Sequence, residues 1–216
     1  MSLHILDHQL WFPEPSEALP DGLLAVGGDL SVERLMLAYQ SGIFPWFNED
    51  EPPLWWCPNP RFVLFPEELH ISKSMKQLLK CPPFTFRVNY AFSKVIQQCA
   101  LIKRKEQNGT WIIPEILHAY QQLHGLGIAH SAECWQNEEL VGGLYGIRLG
   151  KVFFGESMFS LQSNASKFAF IKYVQQLKNE GIKMIDCQVH TPHLESLGAR
   201  MISRDAFLQK LKAETY

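Results

Sequence analysis

The chain is 216 residues long, 46% hydrophobic and 19% charged, with a formal net charge of −2. That much apolar material supports a full core and excludes an intrinsically disordered chain. No apolar run reaches membrane-spanning length, and the N-terminus MSLHILDHQLWFPEP lacks the basic region and cleavage site of a secretory signal. The five scattered cysteines, without a CxxC, point to reduced thiols in the cytoplasm.

Charge is unevenly spread. Residues 1–72 carry eleven acids against two bases, whereas residues 73–105 carry eight bases and no acid. The carboxylate-free stretch fits a surface that holds a polyanion by neutralising phosphates, and it equally fits a solvated helix face beside a solvated loop.

Prolines at 13, 15, 20, 45, 52, 53, 58, 60 and 66 forbid long regular elements in the first segment. One helix is expected there, capped by Ser31, with Leu35, Ala38 and Tyr39 on its apolar face and Gly42 beyond its end. A short helix follows from Ser72 to about Lys80, and its spacing stacks Lys73, Lys76 and Lys80 on one side. FTFRV alternates as a strand. A helix over roughly 91–102, the polar loop KRKEQNGT, and a helix opened by Pro114 and ended at Gly125–Gly127 come next.

The later chain is the more regular. AHSAECW, LVGGLYGIRLG and KVFFGESMFS read as three strands, with QNEE as the first turn. A long helix runs from about Asn164 to Asn179, followed by the strand KMIDCQV, a short helix ending at Gly198, and a terminal helix capped by Ser203. The fold class is α+β, with a small loop-rich N-terminal domain (residues 1–65) expected to pack on a domain (residues 66–216) that resembles a GNAT-type acyltransferase. Such a fold ordinarily grips coenzyme A pyrophosphate on a glycine-rich turn before its long helix. The matching turn here, SLQSNASK, has no glycine, which points to a different acyl carrier and no cofactor.

Several residues are candidates for chemistry. In KMIDCQV, strand alternation puts Asp186 and Gln188 on one face and Cys187 on the other. Polar groups among Met184, Ile185 and Val189 need partners, which fits either catalysis or a structural hydrogen bond. In FFGESMFS, Glu156, Met158 and Ser160 share a face, either toward a substrate or at a wet edge. Trp46, Trp55, Trp56 and Trp111 sit in turn-like contexts that suit an apolar pocket or a small core. His190 and His193 have no cysteine or acid at ligand spacing, so no metal is expected.

The runs GLLAVGGDLSVERLMLAYQSGIFPWF, LWWCPNPRFVLFPEELHISKSMK, LVGGLYG, FFGESMFSLQSNASK, IDCQV and HLESLGA, in that order, resemble the leucyl/phenylalanyl-tRNA–protein transferases. The resemblance implies transfer of Leu or Phe, and less well Met, from its tRNA to proteins with N-terminal Arg or Lys, which marks them for N-degron degradation. It assigns catalysis to Asp186 and Gln188, with Gln188 taking a hydrogen bond from the attacking amine while Asp186 polarises Gln188. It assigns substrate contacts to Trp46, Trp111, Leu144, Glu156, Met158 and Ser160, and the tRNA grip to Lys73, Lys76 and Lys80. Gln77 and Cys81 stand where relatives can carry Arg, which implies a weaker or more dispersed grip. The alternatives are a tRNA-dependent aminoacyltransferase of peptidoglycan bridges and a non-catalytic tRNA- or degron-binding protein.

Overall fold

A computed structural model describes residues 3–102 and 110–215, so Lys103, Arg104 and Lys105 of the basic run lie outside the described residues. The proline-rich first segment forms a four-stranded sheet from β1 (His4–Leu6), β2 (Leu23–Gly27), β3 (Phe44–Pro45) and β4 (Leu54–Trp56), in the order β1-β2-β4-β3. Its strands span only two to five residues, as the prolines dictate. Helix α1 (Val32–Gln40) is set where expected, with Ser31 Oγ accepting the Arg34 amide.

The described residues form a second, seven-stranded sheet in the order β11-β5-β10-β9-β8-β7-β6. Its centre is the antiparallel meander β7 (Ala129–Gln136), β8 (Glu139–Leu149) and β9 (Val152–Ser160), with β6 (Thr85–Val88) at one edge. Helix α5 (Ala165–Asn179) then carries the chain over to β10 (Met184–Gln188), parallel to β9. Beyond β10 lie two strands that the sequence pattern missed, β5 (Arg61–Leu64) and β11 (Arg200–Ile202). The glycines of β8 are packing sites: a Cβ on Gly142 would stand 2.6 Å from that of Ala165, and one on Gly146 only 2.1 Å from the Phe154 carbonyl oxygen.

Helices cover both faces. On one, α3 (Phe92–Leu101) and α4 (Pro114–Gly125) join α1 and the small sheet in one continuous core, which includes Leu35, Tyr39, Val95, Ile116 and Tyr120. On the other, α5 packs through Phe168, Phe170 and Ile171, joined by Met75 of α2 (Lys73–Lys80) and Leu197, which follows α6 (Pro192–Glu195). The amphipathic pattern of α2 points Met75, Leu78 and Leu79 inward and leaves Lys73, Lys76 and Lys80 exposed. The last helix, α7 (Arg204–Thr215), returns to the first core through Phe207 and Leu211. Among the described residues no helix is long and apolar enough to cross a membrane.

Candidate active site

Parallel strands β9 and β10 pair only from Val152↔Met184 to Phe154↔Asp186. Beyond that point β9 stays with β8 as far as Ser160, whereas β10 shifts register against β5 and turns away. Gln188 makes the turn with φ 62°, a left-handed conformation that a non-glycine residue adopts at a cost and that recurs at functional sites. The two strands thus open a slot through the sheet, occupied by a cavity of about 480 Å³. Leu144, Met158, Phe170 and Ile185 supply apolar wall, and Glu156 and Gln188 supply polar groups.

The expected shared face of Glu156, Met158 and Ser160 is broken by a β-bulge. β9 slips one residue against β8 between the Tyr145 and Gly146 pairings, so Glu156 is the extra residue. The bulge swings Glu156 to the α1/α4 side, where it meets two tyrosines, while Met158 packs on the α5 side. Glu156 Oε1 accepts from Tyr39 Oη (2.8 Å) and from Gln188 Nε2 (2.9 Å), and Oε2 accepts from Tyr120 Oη (3.1 Å). The two tyrosine oxygens also lie in contact, and with one proton on each hydroxyl all three contacts of the triangle are hydrogen bonds only when Glu156 is protonated. Burial raises the Glu156 pKa to about 7 from its ordinary 4.5, the bonds from Tyr39, Tyr120 and Gln188 opposing that rise. Burial and the neighbouring Glu156 charge hold the Tyr39 hydroxyl protonated well beyond its normal range.

Asp186 sits beneath the cavity, fully buried. Arg61 of β5 clasps both its oxygens, Nε to Oδ1 at 2.8 Å and Nη2 to Oδ2 at 2.6 Å. The guanidinium lies between the rings of Phe44 and Phe207, 4.6 Å from each centroid. Burial opposes the Arg61 charge, but the attraction and hydrogen bonds of Asp186 outweigh it, so its pKa is raised. The contact between Asp186 and Gln188 differs from the expected one. Oδ1 accepts the backbone N–H of Gln188 at 2.9 Å, and the side-chain amide is held by Glu156 instead. Asp186, with Arg61 on both oxygens, contacts Gln188 through the main chain and not through the side-chain amide.

The structure gathers Leu144, Glu156, Met158, Ser160 and Gln188 around one cavity. Trp111, buried, and Trp46, partly exposed and tilted against Trp56, are not among its lining residues. Ser160 also braces the turn before α5, its hydroxyl donating to the Gln162 carbonyl and accepting the Ser166 amide. Sequence reasoning missed Arg61, Tyr39 and Tyr120 as site residues. The usable signal was physical: a tyrosine on the buried face of a helix needs a partner for its hydroxyl.

The profile of the leucyl/phenylalanyl-tRNA protein transferase family matches residues 63–212, and that of its N-terminal domain matches residues 28–59. A leucyl/phenylalanyl-tRNA–protein transferase of Flavobacterium johnsoniae is 58% identical over 98% of this chain and 100% of its own. That of Pectobacterium carotovorum is 55% identical over 98% of this chain and 90% of its own. Among solved structures, a GCN5-related N-acetyltransferase-like protein from Streptococcus suis gives a TM-score of 0.40 at 10% identity, covering 75% of this chain and 60% of that one. With relatives this similar along nearly its whole length, the chain belongs to the leucyl/phenylalanyl-tRNA–protein transferase family.

Proposed function

We propose that the chain transfers Leu or Phe, and less well Met, from its tRNA to the α-amine of proteins with N-terminal Arg or Lys, and so commits them to N-degron degradation in the cytoplasm. As a member of its family it is an aminoacyltransferase. The observation that carries the finer reading is the cavity in the β9–β10 slot, apolar along one wall and ending at Glu156 and Gln188. Leu144, Met158, Phe170 and Ile185 suit an uncharged donor side chain, and Glu156 suits a cationic acceptor. Trp46 and Trp111 stay in the substrate-contacting set on the resemblance alone. The exposed Lys73, Lys76 and Lys80 suit the tRNA backbone. We place the division between the two domains near residue 65.

The donor ester is already activated, so the chemistry needs no cofactor, metal or covalent intermediate. The neutral α-amine of the acceptor attacks the ester carbonyl carbon; an amide bond forms and the bond to the ribose oxygen breaks. The amine loses a proton and the departing ribose oxygen gains one. With Nε2 tied to Glu156, Oε1 is the group of Gln188 left to accept a hydrogen bond from the amine and aim its lone pair. Asp186 fixes the backbone of Gln188.

The test is a transfer assay with labelled Phe-tRNA or Leu-tRNA, a peptide beginning with Arg, and neither coenzyme A nor ATP. Label is expected on that peptide and absent from one beginning with Glu. Equal labelling of both peptides would refute the acceptor assignment.

A further inference from the structure

Strands β8 and β9 carry four glycines, and three of them answer to packing. A Cβ on Gly142 or Gly146 would collide with its neighbours, and one on Gly143 would stand 2.8 Å from the Ala132 carbonyl oxygen. Gly155 differs. Its φ is not left-handed, and a Cβ there would meet a single heavy atom within 4 Å, the Asp186 carbonyl oxygen at 3.5 Å, an ordinary van der Waals distance. A glycine inside a strand carries a cost, because it loses more freedom on folding than alanine and adds no side chain to pack. The fold gives no reason for this one. The cavity does, because Gly155 lines it.

Gly155 stands at the closed end of the slot. The last pairing of β9 with β10 is Phe154↔Asp186, so Gly155 is the first residue of β9 past the point where the strands part. Phe153 packs in the α5 core and Phe154 in the α1/α4 core, so alternation directs position 155 to the α5 side. Ile185 and Cys187 of β10 belong to that same side and also line the cavity. Burial pushes the Cys187 thiol pKa up, which keeps it protonated and makes it wall and not nucleophile. The closed end is thus apolar on both strands, while Glu156 is turned to the opposite face.

We propose that Gly155 is a specificity-determining residue: its bare backbone floors the closed end of the slot, where the tip of the donor's amino-acid side chain rests, and so sets the longest side chain admitted. This rests on the donor being an aminoacyl-tRNA. A methyl group at this position shortens the slot where the fold tolerates it. Phe reaches further than Leu, so Phe loses more.

The test compares the parent with Gly155→Ala, using one tRNA body charged in turn with Phe and with Leu and a peptide beginning with Arg as acceptor. The thermal midpoint of Gly155→Ala is expected to hold or rise, since alanine fits the space and narrows the unfolded ensemble. The ratio of kcat/KM for the Phe donor to that for the Leu donor is expected to fall about tenfold, the lower end of what one methylene commands in an apolar pocket. An unchanged ratio, including an equal loss with both donors, overturns the assignment of the side-chain tip to Gly155. A lowered midpoint returns Gly155 to packing and overturns it as well. A parent protein that transfers neither amino acid overturns the donor reading itself, and the inference with it.

Discussion

Two carboxylates stand at the cavity, Glu156 on its wall and Asp186 buried beneath it, and the fold treats them in opposite ways. On β10, Asp186 is locked to a guanidinium that is itself held between two rings. On the β9 wall, Glu156 receives only uncharged donors, two hydroxyls and an amide. The first arrangement ties its carboxylate into a two-pronged ion pair; the second leaves a group whose pKa burial raises to about 7. The contrast separates a foundation from an adjustable part, and Gln188 is tied to both, by its backbone to one and by its side chain to the other.

The sharpest way to break the contrast is to remove the foundation. Arg61→Ala strands Asp186 as an uncompensated buried charge and should cost about 3–5 kcal/mol of stability, read from the denaturant midpoint. Arg61→Met with Asp186→Leu should recover most of that stability and none of the transfer activity. A double variant that still transfers at the parent rate would show that Asp186 does not position Gln188. Next in size, Gln188→Ala should lower kcat about a hundredfold while the tRNA dissociation constant holds, because it removes alignment and not affinity.

The adjustable wall predicts a pH signature. Activity should rise as Glu156 ionises near pH 7, separately from the acceptor amine, whose own pKa is about 8. Glu156→Gln should delete the lower inflection, and Tyr120→Phe, which removes a donor to the carboxylate, should move it to higher pH. The stability linkage has the matching sign. A carboxyl with a folded pKa raised above 4.5 favours folding at low pH, and that contribution declines as pH rises from about 4.5 to 7. Glu156→Gln should therefore flatten the fall in stability over that interval. Smallest in effect at low salt is Lys73, Lys76 and Lys80 to Ala, which should reduce the slope of log affinity for tRNA against log salt by roughly 2–3. An unchanged slope would mark α2 as a solvated face.

What the sequence disclosed follows from the range of the interactions. Helices α1 and α2 announce themselves through Ser31 and Ser72, whose capping bonds reach only three residues ahead. The meander and α5 are legible because their periodicity is local. Strands β5 and β11 are three or four residues long, too short for alternation to register, and they join the sheet only by pairing with distant chain. At the site, Asp186, Gln188 and Glu156 stood out as polar residues in apolar strands. The Arg61–Asp186 pair spans 125 positions, and the bulge that redirects Glu156 is a matter of register, so neither leaves a local trace.

The clasp around Arg61 also bears on synthesis. Phe44 comes from the small sheet, Arg61 and Asp186 from neighbouring strands of the large one, and Phe207 from the last described helix. A ribosome delivers these four in that order, with the closing ring last. Until α7 emerges, one side of the guanidinium lacks its cover and the β10 wall lacks its final brace. Helix α2 is therefore synthesised well before the ring that closes the Arg61 clasp.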